Sequence, residues 1–319
     1  LLECILASSL LSHMYENVSG IMGKITLMFA CSACLSNGWR TVPGLSQQLA
    51  ARRADARMLF EAPNFMKKQT KPFDVAIVTG AGSGIGRALS VKLAQSGVPV
   101  VAVGRRADAL TETAKLSELI NPLSADVSTS SGREQILAAA PSSSSKIALV
   151  HSAAAVGELK TVTEGLDVER FRETMAVNVE APLFLTQLLR PLMAPGSRVL
   201  HLSSGAAHGG QAGLLPYCAS KAALFSIYEA LREELKPEEI LVGSVMPGVV
   251  DTPMQETVVG STDASWPGYA YFSQLRAQTT VSDASGPPAG QGLNSPANVG
   301  RFLQWLLMET TDAEFAADE

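Results

Sequence analysis

The chain has 319 residues, 46% hydrophobic and 17% charged, with a net charge of −5; that is enough apolar material for a sizeable core and excludes a disordered chain. Residues 71–319 carry 18 Lys/Arg against 26 Asp/Glu, an acidic body that argues against nucleic acid or an anionic membrane as the main partner. Four cysteines (Cys4, Cys31, Cys34, Cys218) are too few for a disulfide scaffold and point to a reducing compartment. Cys31 and Cys34 form a C-x-x-C without a second ligand pair, so no metal site is read.

Residues 1–70 read as an N-terminal extension with its own composition. The chain begins LLEC, and Met14, Met22, Met28, Met58 and Met66 are candidate starts. Residues 28–60 hold four arginines and one acid among many Ser and Ala, the composition of an organelle transit peptide. From Met22, a lysine before an apolar run instead resembles a secretory signal, and an unstructured extension of no function is the third reading. No segment reaches the roughly 18 unbroken apolar residues of a membrane span. The expected location is cytoplasmic, with an organelle as the alternative.

From residue 71 to 319 the pattern is that of one α/β domain. Strands buried on both faces are predicted at 75–79, 98–104, 147–154, 198–204 and 240–248, with a weaker one at 121–126. Helical periodicity falls between them at 85–95, 108–119, 133–140, 168–193 and 217–235. Strict alternation implies a doubly wound parallel sheet, the Rossmann fold, with ligand outside the carboxyl ends of its strands. Residues 250–292 lack periodicity and are rich in Ser, Thr, Gly and Pro, as expected of a substrate lid or a disordered insert. Ser295 and Pro296 then open a helix through residue 307.

TGAGSGIG, Thr79 to Gly86, joins the first strand to the first helix. Gly80, Gly84 and Gly86 let the backbone turn tightly and approach a pyrophosphate at the helix N-terminus, flanked by Ser83 and Ile85. Where an NAD-binding fold places an acid, this chain has Gly104, Arg105 and Arg106, suited to a 2′-phosphate; NADP(H) is therefore the expected cofactor. Asp108 stands too far along and is read as part of the next helix. Tyr217 and Lys221 lie one helical turn apart, where the ammonium can act on the phenol. Lowering a tyrosine pKa from about 10 to 7 takes about 4 kcal/mol, of which the lysine charge is expected to supply part and an oxidised nicotinamide, when present, more.

Residues 73–319 resemble a short-chain dehydrogenase/reductase. The family's T-G-x-x-x-G-x-G matches Thr79 to Gly86, its helix asparagine Asn178, its serine Ser204, its Y-x-x-x-K Tyr217 and Lys221, and its P-G Pro247 and Gly248. The resemblance implies that Asp126 contacts adenine, with Val127 and Ala153 also at the cofactor and Val250 and Thr252 near its carboxamide. It implies carbonyl reduction in which Tyr217 donates a proton, Ser204 holds the substrate oxygen, Lys221 anchors the ribose and Asn178 organises a water path. Ala219 and Ser220 are expected to leave room for the cofactor. The family's N-N-A-G is here His151, Ser152, Ala153 and Ala154, which puts the rigidity of that loop in doubt, while His151 reads as a strand residue.

PGVVDTPMQ, residues 247–255, is similar to a segment of sepiapterin reductase and the related benzil reductases. Asp251 then either grips an amino-bearing ring or caps a lid helix. The expected partner is a small ketone or diketone, with no nucleic acid or membrane; the family also implies a homodimer or homotetramer paired through helices 168–193 and 217–235. An alcohol dehydrogenase working oxidatively and a non-catalytic cofactor-binding scaffold are the alternatives. The resemblance further implies a last strand after residue 319, which would leave the described sheet edge unpaired and prone to aggregation.

Overall fold

The computed structural model describes residues 72–260, 266–277 and 293–316. The readings made on residues 1–70, including Cys31 and Cys34, lie outside the described residues, as do residues 261–265 and 278–292 of the expected lid.

Among the described residues six parallel strands form one sheet, β1 (Val75–Thr79), β2 (Val100–Gly104), β3 (Ile120–Ser124), β4 (Ile147–His151), β5 (Arg198–Leu202) and β6 (Leu241–Val245), in the order β3-β2-β1-β4-β5-β6. The chain reverses its direction of winding between β1 and β4, and a crevice forms there beyond the strand ends. β1, β4 and β5 are buried at every position, as their near-continuous Val, Ile and Leu runs require. β3 is half-exposed, the sheet edge that its weaker pattern foretold. β1 and β2 end at the predicted C-terminal limits, while β3 to β6 stop two or three residues short of theirs, because the following residues leave the ladder to form the site.

Two apolar layers sandwich the sheet. On one face Ala76, Val78 and Leu200 pack with Leu89 and Leu93 of α1 (Gly84–Gln95) and Leu303 and Leu307 of α9 (Pro296–Met308). On the other, Ile77, Leu149 and Val199 pack with Leu185 and Leu189 of α5 (Ala181–Leu189) and with Tyr228 and Leu231 of α6 (Leu215–Leu235). α2 (Ala107–Ala114) ends before the predicted limit, and α3 (Ser130–Ala139) starts earlier than predicted because the Thr129 hydroxyl accepts from the Gly132 N–H at 3.0 Å. Asp108 stands in the first turn of α2.

The helix expected over 168–193 is divided. α4 (Val168–Met175) is capped by Asp167, whose Oδ1 accepts from the N–H groups of Glu169 and Arg170 at 2.9 Å. It passes into a π-helical turn, Ala176–Glu180, before α5. The physical reason is legible in MAVNVEAP: an α-helix would offer the Asn178 carbonyl the N–H of residue 182, which is Pro182 and has none. The Ala181 N–H bonds Ala176 O instead, widening the turn as π-bulges do at functional sites. The expected irregular lid likewise holds two short helices, α7 (Pro253–Val259) and α8 (Tyr269–Ala277).

At the far end of the sheet, Arg198 is buried beneath the end of α9. Its guanidinium donates to the carbonyls of Leu306, Leu307 and Thr310, to the Thr310 hydroxyl, and to Asp312 Oδ1 at 2.9 Å in α10 (Asp312–Phe315), while stacking on Phe315. A cation here satisfies carbonyls that a helix C-terminus leaves unpaired. Among the described residues no helix is long and apolar enough to cross a membrane. We predict that Arg198→Leu lowers unfolding free energy by about 3 kcal/mol, since several buried carbonyls lose their donor. Asp312→Asn, on an exposed partner, should cost less than about 1 kcal/mol. Equal small losses in urea melts would remove Arg198 from this role.

Candidate active site

The glycine loop turns over the carboxyl end of β1. Gly80 adopts φ +70°, and a Cβ at Gly86 would lie 2.5 Å from the Gly80 carbonyl oxygen, so only glycine lets α1 begin this close beneath the loop. Ser83 occupies the N-cap of α1 but makes no capping bond, and the first turn of α1 has no acid. Its hydroxyl instead accepts from Arg106 Nη2 at 3.2 Å. The α1 N–H groups thus lack a side-chain acceptor, while a guanidinium reaches across from the end of β2: the arrangement of an anion site.

Two residues whose roles sequence reasoning missed hold the loops of the site, Arg87 the glycine loop and Thr79 the loop after β4. The Arg87 guanidinium donates to the Gly82 and Ala109 carbonyls and to Thr113 Oγ1, which in turn donates to Ala81 O at 3.0 Å. An arginine directly after the third glycine was the available signal, but its partner lies 26 residues away. Thr79 is the second. Its hydroxyl accepts from the N–H groups of Ser152 and Ala153, both at 3.1 Å. The doubt over the loop of residues 151–154 is therefore corrected: the Thr79 hydroxyl pins its backbone, and the side chain at position 152 is not required for these bonds.

Asn178 is 1% exposed and its amide is committed to protein. Nδ2 donates to Ala155 O and to Ser220 Oγ, and Oδ1 accepts from the Ala155 N–H, all at 2.8 Å. Ser220 Oγ donates to Tyr217 O at 2.8 Å, so Ser220 faces inward and does not make cofactor space as expected. The side chain of Asn178 is architectural, and its backbone carbonyl is left without an α-helical donor by Pro182.

Ser204, Tyr217 and Lys221 converge where β5 ends and α6 begins. The Ser204 hydroxyl bonds the Tyr217 phenol and accepts from the Ala206 N–H at 3.2 Å. Lys221 Nζ donates to Leu202 O at 2.7 Å and lies 5.6 Å from the centre of the Tyr217 ring. The protein groups alone do not produce the expected lowering. Burial raises the Tyr217 pKa above its ordinary value, against the lowering effect of the Ser204 hydrogen bond. Desolvation penalises the phenolate more than the Ser204 hydrogen bond favours it, so the phenol of the free protein stands protonated at neutral pH.

Of the remaining predicted residues, Asp126 Oδ1 accepts from the Ser128 N–H and hydroxyl at 3.0 and 2.7 Å, shaping the turn that carries Val127. Arg105 is exposed on the rim. Ile85, in the first turn of α1, packs against the core. Pro247 O accepts from Asn294 Nδ2 at 3.2 Å, Gly248 has φ +72°, and Val250 forms a parallel bridge with Asn294. The methyl of Thr252 lies 3.0 Å from where a Gly84 Cβ would be, which brings the lid against the glycine loop. Thr252, not Asp251, is the N-cap of α7; Asp251 is exposed and does not cap it. Beside Ser204 and Tyr217 stands an apolar cluster in which Leu214, Cys218, Val258 and Trp266 are buried, with Phe272 stacked on Trp266.

A glycine-cradled anion site and a Ser-Tyr-Lys cluster on one doubly wound sheet define a nucleotide-binding oxidoreductase fold. Residues 74–262 match the short chain dehydrogenase family, and the chain belongs to that family. Similar curated proteins include an uncharacterised oxidoreductase of Staphylococcus epidermidis, 34% identical over 185 residues, covering 57% of this chain and 80% of the relative. Another is the human mitochondrial dehydrogenase/reductase SDR family member 2, 31% identical over 219 residues, covering 66% and 77%. Among solved structures, angucycline C-6 ketoreductase LanV with bound NADP matches at TM-score 0.61 and 26% identity, over 76% of this chain and 90% of that one. Actinorhodin polyketide ketoreductase with NADPH matches at 0.62 and 25%, over 78% and 95%.

The raised phenol pKa has a measurable consequence. In a spectrophotometric pH titration, wild type minus Tyr217→Phe should show the Tyr217 phenol ionising only above pH about 10, the ordinary tyrosine value. Because the folded state holds this proton more tightly than the unfolded state, its contribution to stability is complete below about pH 10 and lost as pH rises through the folded value. Ionisation near pH 7 in the free protein would contradict this account.

Proposed function

We propose that the chain is an NADPH-dependent carbonyl reductase acting on a small aromatic ketone or diketone, with Tyr217 as proton donor. The observation that carries the reading is the hydrogen-bonded Ser204–Tyr217 pair, with a protonated phenol, set between the anion-binding loop and an apolar wall. Reduction needs a proton donor at the forming alkoxide, whereas alcohol oxidation needs a base. Galactitol 2-dehydrogenase, 28% identical over 198 residues, bears a name that fits the oxidative alternative, for which the same Tyr217 would act as base.

The residues fit NADP(H). The pyrophosphate would lie over Gly80, Gly84 and Gly86 at the N-terminus of α1, the 2′-phosphate against Arg106, Ser83 and Arg105, and the adenine near Asp126 and Val127. Ala153, Lys221 and the segment Pro247, Gly248, Val250 and Thr252 would hold the nicotinamide end. The bound cofactor supplies the hydride. Ser204 holds the substrate oxygen, Tyr217 gives it a proton, and Lys221 holds its ammonium group against Leu202 O behind the phenol. The binding of NADP or NADPH by two similar ketoreductases supports this choice.

For the substrate, the wall of Trp266, Phe272, Leu214 and Val258 supports a flat apolar ring. The exposed carboxylate of Asp251 is better suited to a lid surface than to gripping an amino-bearing pterin. A benzil-type diketone is therefore the proposed substrate class, and pairing through α4 to α6 the proposed assembly.

Tyr217→Phe should fold, bind NADPH and lose at least about a hundredfold in kcat with benzil; retention of a tenth or more of the wild-type rate would refute the assignment. Arg106→Ala should narrow the preference for NADPH over NADH by about tenfold in kcat/KM, through loss of a charge-assisted bond. Equal use of both cofactors by the wild type would show that the arginines serve another purpose. Asp251→Asn should leave KM for benzil within about twofold; a wild-type KM for sepiapterin below that for benzil, raised about tenfold by the substitution, would favour the pterin reading.

A further inference from the structure

Beneath the Tyr217–Lys221 pair, inside the protein, lies a polar group for which this mechanism has no use. His201 in β5 is completely buried, and neither ring nitrogen has a hydrogen-bond partner among the described residues. Ser203, two residues on, is also buried with an unpartnered hydroxyl. The Ser203 N–H still bonds Val245 O at 2.8 Å, so strand alternation continues and both side chains share the face of the sheet covered by α5 and α6. Three unpaired polar atoms on one buried face are costly, each about 1–3 kcal/mol, and native folds seldom leave such groups unsatisfied.

The surroundings indicate what they serve. From α6 the charge of Lys221 acts on the His201 ring. From β4, His151 meets it edge-on at 5.1 Å, its own Nε2 paired with Thr186 Oγ1 at 2.9 Å; from β6, the uncharged Ser244 is the register partner. The ladder places His201 directly before Leu202, whose carbonyl accepts from Lys221. Burial first, and the lysine charge second, lower the His201 pKa to about 3, so its ring offers one lone pair and one N–H throughout the working pH range.

We propose that His201 is a positioning residue for Lys221: with Ser203 it binds ordered water on the inner side of the ammonium group and keeps a proton supply open to Tyr217. The inference rests on the reductase reading above. Each turnover takes one proton from the Tyr217 phenol to the new alcohol; a proton moves from the Lys221 side to the phenolate, solvent restores it through the held water, and His201 ends unchanged. A merely structural histidine would gain nothing from two unpaired nitrogens, since an apolar ring of similar size would fill the site without that cost.

The test uses the full chain with NADPH and benzil. His201→Phe should keep or raise the melting temperature, leave KM for NADPH within about twofold, lower kcat about tenfold and enlarge the solvent isotope effect on kcat, while His201→Asn recovers most of the rate. A folded His201→Phe with unchanged kcat and isotope effect would overturn the proposal. Should that variant not fold, nitrogen-15 NMR of the native histidines with NADPH bound decides: a neutral ring whose lone-pair nitrogen is shifted by a hydrogen bond is expected, and a free lone pair or a charged ring would overturn it. Absence of turnover in the wild type would count against the reductase reading, whereas the NMR result bears on His201 alone.

Discussion

The site depends on one buried amide. Asn178 joins the loop after β4, the widened turn between α4 and α5, and the first turn of α6, because its two N–H bonds go to Ala155 O and Ser220 Oγ while its oxygen takes the Ala155 N–H. Ser220 passes the constraint to the Tyr217 backbone. The phenol is thereby held relative to the strand ends without any contact to the amide. In a buried setting such a network is strong when complete and costly when one member is missing, so these three elements behave as one piece.

Around that piece the fold separates two kinds of chemistry. At the β1 side, backbone N–H groups and Arg106 present positive character to an anion, steadied by Arg87 and Thr113. At the β5 side, burial keeps the Tyr217 phenol protonated and His201 neutral. Lys221, anchored on Leu202 O, stands between the phenol and the inner polar atoms. The sheet's change of winding between β1 and β4 brings the two sides to one crevice.

Much of this was legible in the residues. Continuous Val, Ile and Leu runs announced strands buried on both faces, and TGAGSGIG announced its turn because glycine alone tolerates the approach of Gly80 to Gly86. The spacing of Ser204, Tyr217 and Lys221 was legible because two of them share a helix face. Less visible was whatever depends on distant partners. The clasp of Arg87 on Thr113, the pinning of Ser152 and Ala153 by Thr79, and the inward turn of Ser220 are tertiary contacts without local periodicity. The π-turn had a signal in Pro182 four residues after Asn178, overridden by the helical pattern on both sides. The raised pKa of Tyr217 in the free protein was not legible, because the desolvation that causes it comes from the assembled core.

The central proposal is that hydride passes to a carbonyl carbon whose oxygen is held by Ser204 and protonated by Tyr217. Its most direct measurement is the product formed from benzil and NADPH carrying deuterium at nicotinamide C4. Deuterium on the new carbinol carbon, with the hydroxyl proton derived from solvent, is the predicted result. NADPH bound by the folded chain without transfer of deuterium to benzil or any other aromatic ketone tried would contradict the account.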